Sequence, residues 1–315
     1  MYREIKVEQY NPEWPKIFES EKSIIKKSLG DNFISINHIG STAVPGLSAK
    51  PKIDIIAEVE NCEDAIIQLE SVGYIYKGEW NIPFKYGFSK RGGIEINLHL
   101  YEKGHPEVEL NILFRDYLRN NPDARDEYEK LKYDLLKNYN AYLKENNSIF
   151  TGYNLGKDSF IRRIIQLTGF DKLRFLYCNH RIEWEEYHRI KVEQIFSELS
   201  HIVYDYNHPH LTHEDHYHFI LCKGVEVISI GHMEKLYDRK WALRGLATDK
   251  KYQGNGYGKA MLNQIENWCK SRGGRIINVH PASKAENFYG KLGYICIAWD
   301  DKSIYKDAIN LGKEL

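Results

Sequence analysis

Residues 251–262 read KYQGNGYGKAML. Gly254, Gly256 and Gly258 are each separated by one residue, Gln253 precedes them and an apolar run follows. Glycines let the chain turn tightly and let a ligand approach the backbone. The following GKAMLNQIENWCKSRG has helical spacing. The first N–H groups of a helix lack intrahelical acceptors and carry partial positive charge, so a strand–turn–helix of this kind holds an anion without side-chain help. Lys259 adds a charge at the same end. Two other phosphate loops compete. A Walker loop needs one more residue between Gly254 and Gly258, and Ala260 stands where Ser or Thr would hold Mg²⁺. A Rossmann fingerprint needs G-x-G-x-x-G after the first strand of a βαβ unit; here G-x-G-x-G follows several antiparallel-looking strands. Glycine spacing alone also fits a turn that caps a helix and binds nothing.

Upstream lie YHFILCKG, EVISIGHM and WALRGLAT, which read as three strands after a helix starting near Trp184. Downstream come a strand (RIINVHP), a helix (KAENFYGKLG) and a last strand (YICIAWD). Strands followed by βαβα predict a mixed sheet with helices on it.

In this setting LATDKKYQGNGYGKAMLNQIENWC resembles the acetyl-CoA-binding motif of the GNAT N-acetyltransferase superfamily, with Gln253, Gly256 and Gly258 at the pattern's places. ASKAENFYGKLGY is similar to the superfamily's closing signature, with Asn287 and Tyr289. The resemblance covers roughly residues 175–315. It implies a splayed central sheet, acetyl-CoA as cofactor, and direct transfer of acetyl to an amine without a metal. Leu246, Ala247 and Thr248 would run beside the pantetheine arm, a free N–H near Leu246 stabilising the oxyanion. Gln253, Gly254, Asn255, Gly256, Tyr257, Gly258 and Lys259 would surround the pyrophosphate, Asn287 would bond the cofactor arm, and Tyr289 would protonate the leaving thiolate. An attacking amine must shed a proton, since a lysine-like amine has a pKa of about 10.4. Glu234 is the expected base, ahead of His232 and Glu226.

HPHLTHEDHYH carries His208, His210, His213, His216 and His218. His216 and His218 share a strand face, which is also zinc-ligand geometry, but no H-E-x-x-H or Cys/His pattern accompanies them. The expected role is a pH-sensitive hairpin near the acceptor entrance, with no metal.

The first half holds a second distinctive stretch, NHIGSTAVPGLSAKPKIDI (residues 37–55). A strand ends in Gly-Ser, a loop carries Pro45 and Gly46, and a β-branched strand returns with Lys50, Lys52 and Asp54. A Gly-Ser turn can hold a phosphate, and a strand Asp a dozen residues later a metal. The string resembles the GrpB family, similar in fold to nucleotidyltransferases, and NLHLYEKG and LFRDYLRNNPDARDEYEKLK match that family's later motifs over about residues 3–168. A catalytic nucleotidyltransferase carries D-h-[DE]; here Asp54-Ile55 is followed by Ile56. Two Mg²⁺ ions need several oxygen ligands, so one Asp54 is a thin donor set. His38, Gly40, Ser41, Lys50, Lys52, Asp54, Glu95 and His99 form the expected anion site, Glu95, Asn97 and His99 alternating onto one strand face. Helical periodicity is expected around residues 14–29 and from 110 to 170, and a hairpin turned at Arg91-Gly92-Gly93.

The expected organisation is α/β (α+β): a nucleotidyltransferase-like mixed-sheet domain, residues 1–171, and a GNAT domain, residues 172–315. The 315 residues exceed the roughly 250–300 at which single cores stop growing. Lys+Arg and Asp+Glu are both 44, so no nucleic-acid partner is expected. Five cysteines without a C-x-x-C pair fit a reducing compartment. With no signal-like N-terminus and no long apolar run, a cytoplasmic protein without a membrane partner is expected. The acceptor is expected to be a small-molecule or peptide amine; a homodimer is left open. The rivals are a CoA-sensing module without turnover and a nucleotidyltransferase centred on Asp54.

Overall fold

Asn61 shows how locally a helix boundary is written: its side chain accepts from the backbone N–H groups of Glu63 and Asp64, at 2.8 and 3.1 Å, and starts the second helix. The computed structural model describes residues 4–143, 150–199, 202–301, 303–305 and 308–315. The chain divides into two units, 1–174 and 175–315, each a mixed α/β assembly around a mixed sheet.

In the first unit the order is α1 (Glu13–Leu29), β1 (Phe33–Ile39), β2 (Lys52–Val59), α2 (Cys62–Glu70), β3 (Ile75–Gly78), β4 (Tyr86–Lys90), β5 (Glu95–Glu102), α3 (Pro106–Asn120), α4 (Pro122–Asn138), α5 (Gly152–Leu155) and α6 (Asp158–Leu167). The sheet runs β1-β2-β5-β4-β3. β2 and β5 pair in parallel at its centre, and the other pairs are antiparallel. β2 alternates as a half-polar strand does. Ile53, Ile55, Ala57 and Val59 pack with Trp14, Phe18, Ile25 and Leu29 of α1 and with Ala65 and Leu69 of α2. Ile56 turns the other way, to Ile39, Tyr101 and Val108. The polar Lys52 and Asp54 share that second face, so the face is apolar at one end and charged at the other. β3 was not expected: Ile75 is half exposed, so no alternation marks it. The hairpin turned at Arg91-Gly92-Gly93 is present as β4 and β5.

The second sheet takes β6 (Leu173–Tyr177), followed by α7 (Arg181–Gln194), β7 (His216–Lys223), β8 (Glu226–Lys235), β9 (Lys240–Thr248), α8 (Tyr257–Ser271), β10 (Ile276–Val279), α9 (Glu286–Gly290), β11 (Ile295–Cys296) and β12 (Leu311–Glu314). The strand order is β11-β12-β10-β9-β8-β7-β6. β7, β8 and β9 are antiparallel neighbours, and β9 and β10 are parallel. One expectation is corrected. YICIAWD yields only the two residues of β11, which pair with β12 rather than β10; β12 lies between them, antiparallel to both. The core centres on Trp268 of α8, with ring centroids 4.8 Å from Phe219, 5.1 Å from Trp241 and 4.7 Å from Tyr217.

Two irregularities of β9 position the site. It follows β8 as far as Thr248 but pairs with β10 only from Lys240 to Leu243. Beyond Leu243 the two parallel strands part. A register shift beside His232 and Met233 leaves Arg244 as an extra residue on β9, a bulge of the kind that re-aims side chains.

Candidate functional site

Asp249 N–H bonds to Ile228 O at 3.0 Å. In an antiparallel ladder alternate residues face the partner strand, so Ala247 and Gly245 turn their amides to β8. The N–H groups of Leu246 and Thr248 point away from β8, toward the side where β10 has left. Leu246 and Thr248 are half-buried and Ala247 is buried.

The loop that follows is shaped by backbone and small polar contacts. Asp249 Oδ1 accepts from Lys251 N–H at 3.0 Å. Gln253 Nε2 donates to Thr248 O at 3.0 Å and to Gln194 Oε1 at 2.9 Å, tying the loop to α7. Asn255 Nδ2 donates to the carbonyls of Tyr252 and Gln253. Gly254 and Gly256 have φ of 78° and 80°, a region that costs an L side chain roughly 1–2 kcal/mol. Gly256 is the N-cap of α8, and no side chain caps that end. The first-turn amides of Tyr257, Gly258 and Lys259 thus lie at a helix end that no side chain caps, with the Lys259 side chain exposed beside them.

Tyr289 is buried in α9, its ring 5.3 Å from Tyr294 and 5.1 Å from Phe288. Burial, and then the neighbouring Tyr305, push its phenol well above the ordinary tyrosine value, so it stays protonated. Phe288 reaches Gly258, where a Cβ would lie 3.7 Å from its ring; α9 therefore meets the start of α8. Asn287 is exposed on the same helix.

Between the end of α7 and strands β8 and β9 lies a cavity of about 380 Å³, lined by Lys191, Phe196, Tyr204, His210, His232 and Arg244 among others. A Cβ on Gly245 would lie 3.4 Å from Ile195 of the same wall, so the cavity abuts β9 one residue before Leu246. Glu234 does not line it. Its Oε2 accepts from Arg244 Nε at 2.5 Å, and Arg244 also pairs with Asp301. His232 Nε2 and His216 Nδ1 form a hydrogen bond of 2.9 Å, and His216 Nε2 lies 3.9 Å from Glu234 Oε1. Glu234 therefore connects to the cavity through two imidazoles. Burial, then Lys191 and the histidines around it, hold His232 well below the ordinary value; His216 is lowered to about 4, first by burial. Of the histidine segment, His208 and His210 line the cavity, while His218 is buried, bonded to Tyr187 OH and His210 O. Glu226 is engaged by Lys251 and Tyr252 at the far end of β8.

In the first unit the parallel register sets Lys52 beside Glu95, Asp54 beside Asn97 and Ile56 beside His99. Lys52 Nζ pairs with Glu95 at 3.1 Å, and Asn97 Nδ2 donates to Asp54 Oδ1 at 3.0 Å. Gly40 closes over Asp54: a Cβ there would lie 2.7 Å from Oδ2. Burial raises the Asp54 carboxyl above its ordinary value, against the opposing pull of Lys52, Asn97, Lys157 and Lys50. Ser41 hydrogen bonds to the Tyr128 phenol. His99 is lowered to about 3, by burial and then Lys85 and Lys52.

His38 does not join this group. It is opposite Ile55 in the register, on the α1 face, where its ring stacks on Phe18 at 4.9 Å and its Nε2 bonds Thr42 Oγ1 at 3.0 Å. The alternation that aims Asp54 at one face sends His38 to the other. Conversely, Lys157, Lys132 and Lys85 were missed. The Nζ atoms of Lys50 and Lys157 lie 4.2 and 4.5 Å from the Tyr153 ring centroid. Burial lowers Lys157 to about 8 and Lys132 to about 7. Lys132 lies in α4, Lys157 in the turn that precedes α6 and Lys85 in the loop before β4, and no local spacing announces them. Among the described residues no group of three or more His, Cys, Asp or Glu side chains is arranged to hold a metal.

Two family likenesses agree with this architecture. Residues 4–167 match the GrpB protein family, and residues 179–294 match the acetyltransferase (GNAT) family. The chain belongs to the GrpB protein family, and its second half is a GNAT acetyltransferase domain. Among relatives, the UPF0157 protein YqkA of Bacillus subtilis is 36% identical over 164 residues, which cover 51% of this chain and 46% of that one. This chain thus spans about half the length of that relative. The crystal structure of the conserved protein GrpB from Enterococcus faecalis is 32% identical, covers 52% of this chain and 96% of its own, and has a TM-score of 0.45. The PaiA N-acetyltransferase of Thermoplasma acidophilum, solved in complex with coenzyme A, is 15% identical, covers 46% of this chain and 99% of its own, and has a TM-score of 0.38. No helix among the described residues is long and apolar enough to cross a membrane.

Proposed function

We propose that the second unit is an acetyl-CoA-dependent N-acetyltransferase that moves acetyl directly to an amine. The observation that carries this reading is the parting of β9 from β10 after Leu243, immediately before the uncapped N-terminus of α8. The parted strand offers the Leu246 and Thr248 amides to a pantetheine arm and its thioester oxygen, with Ala247 between them. The amides from Gln253 through Gly254, Asn255, Gly256, Tyr257 and Gly258 to Lys259 receive the pyrophosphate, and Asn287 bonds the arm. The acceptor enters from the cavity between α7, β8 and β9. Its nitrogen attacks the acetyl carbon, the C–S bond breaks, and Tyr289 donates its proton to the departing thiolate. The amine proton leaves through His232 and His216 toward Glu234, a base acting at a distance.

The first unit is read as a binding domain for an anionic ligand, seated between Ser41 and the lysines gathered around Asp54. Nucleotidyl transfer is not favoured, because Ile56 stands at the second carboxylate position, Glu95 is taken by Lys52, and the neighbour of Asp54 on β5 is the amide Asn97.

The deciding experiment is a calorimetric titration of acetyl-CoA and CoA into the wild type, Gly256→Glu and Lys259→Glu. Saturable binding is expected in the wild type. It is expected to be lost in Gly256→Glu and weakened about tenfold in Lys259→Glu, which removes a charge-assisted contact without backbone strain. A folded wild type that binds neither ligand refutes the reading.

A further inference from the structure

The cavity of the second unit contains a cation that no carboxylate among the described residues pairs with. Lys191 lines that cavity and is 8% exposed. Its Nζ lies 3.4 Å from Tyr187 OH and 3.4 Å from His232 Nδ1, and 5.3 and 5.9 Å from the ring centroids of Tyr187 and Tyr204. Among the described residues no carboxylate pairs with it. The other cation of the wall, Arg244, is held by Glu234 and Asp301. An ammonium withdrawn from water without an anion is costly, and here it borders open space. Ile195, Phe196, Leu211 and Ile304 give the same cavity an apolar wall, and Asp205 is also on its lining, its Oδ1 accepting from Asn207 N–H at 2.8 Å.

We propose that the acceptor is amino-acid-like: an amine that also carries a carboxylate and an apolar body, its carboxylate seated on Lys191. This rests on the reading of the second unit as an acetyltransferase. The carboxylate takes no part in the chemistry. It supplies the missing counter-charge, forms a charge-assisted hydrogen bond, and fixes which end of the acceptor points at β9. Leucine fits the description, and leucinamide and 3-methylbutylamine share its apolar body without the anion.

The test is thiol release from acetyl-CoA with these three acceptors, for the wild type, Lys191→Met and Lys191→Arg, with acetyl-CoA binding to each measured by calorimetry as the control for folding. Leucine is expected to exceed leucinamide in kcat/KM by about tenfold or more, the usual consequence of one charged hydrogen bond. The preference is expected to vanish in Lys191→Met and to persist in Lys191→Arg. Equal rates for leucine and leucinamide in the wild type, a preference that survives in Lys191→Met, or equal loss of both acceptors in a Lys191→Met that still binds acetyl-CoA would overturn the proposal. If acetyl-CoA binds but no acceptor turns over, N-acetylleucine is titrated into the CoA-bound protein. Binding by the wild type and not by Lys191→Met supports the carboxylate seat; no binding by the wild type overturns it. A wild type that binds no acetyl-CoA fails at the earlier step and takes the proposal with it.

Discussion

Asn97 Nδ2 donates to Asp54 Oδ1 at 3.0 Å across the parallel pair β2 and β5. The neighbour of Asp54 on β5 is thus an amide that binds it rather than a carboxylate that would repel it, and lysines supply the nearby charge. Inorganic pyrophosphate is therefore expected to bind the first unit without a divalent cation. Lys157→Met is expected to weaken it about tenfold. The cationic form of Lys157 is present below a pKa of about 8, so affinity is expected to fall as pH rises through that value. Calorimetry in the presence of a chelator checks both, and binding that appears only with Mg²⁺ contradicts them.

Gly274 and Gly231 separate two kinds of crowding. A Cβ at Gly274 would lie 2.7 Å from Cys269 O and 2.7 Å from Trp241 Nε1, a backbone atom and a buried ring. At Gly231 it would meet only the ends of Ile265 and Met261, at 2.6 and 2.9 Å. Flexible ends can give way, so Gly231→Ala is expected to cost about 1–2 kcal/mol and Gly274→Ala about 3 kcal/mol or more. Urea denaturation followed by tryptophan fluorescence ranks them; the reverse order would mean that the core around Trp268 is looser than its packing indicates.

Tyr289→Phe is expected to lower kcat about 10²-fold, the lower range for losing a general acid, while acetyl-CoA affinity stays within about threefold. Because the phenol is pushed well above its ordinary value, the wild-type rate is expected to show no alkaline decline from this residue up to about pH 10. A kcat unchanged in Tyr289→Phe would remove Tyr289 from the acid role, and a wild-type alkaline limb below that pH, absent in Tyr289→Phe, would keep the role but contradict the raised phenol.

The buried histidines give stability a direction with pH. His218 is lowered to about 3 and His216 to about 4, in both cases first by burial. In the unfolded chain each titrates near 6.5. Above that value both states are neutral and the stability is fully present. Below it the unfolded state takes protons that the folded state refuses, so stability falls with pH toward about 4. Urea midpoints of the second unit are expected to drop between pH 7 and 5, with a smaller slope in His218→Gln. A midpoint flat over that range would show that these imidazoles protonate without unfolding.

The parts legible in the sequence were those written within a few residues. The loop from Gln253 to Lys259 and the strand KIDIIAEV carry glycine conformation, capping and alternation in local order, and the elements they predict are present. Contacts made by long-range pairing were not legible. β3 and β6 are edge strands, and β12 enters between β10 and β11, which local periodicity does not encode. His38 looks like a neighbour of Asp54 until the register sends it to the opposite face. Lys191 and Lys157 look like ordinary charges on helices; only tertiary packing shows which lysines are withdrawn from water.

The placing of β12 has a consequence for biosynthesis. Both of its partners precede it in the chain, so β10 leaves the ribosome with one edge unpaired and keeps it so until residues 311–314 follow. A nascent second unit exposes backbone donors and acceptors for the whole of that interval. Chaperone engagement is most needed there, between the appearance of Val279 and that of Leu311.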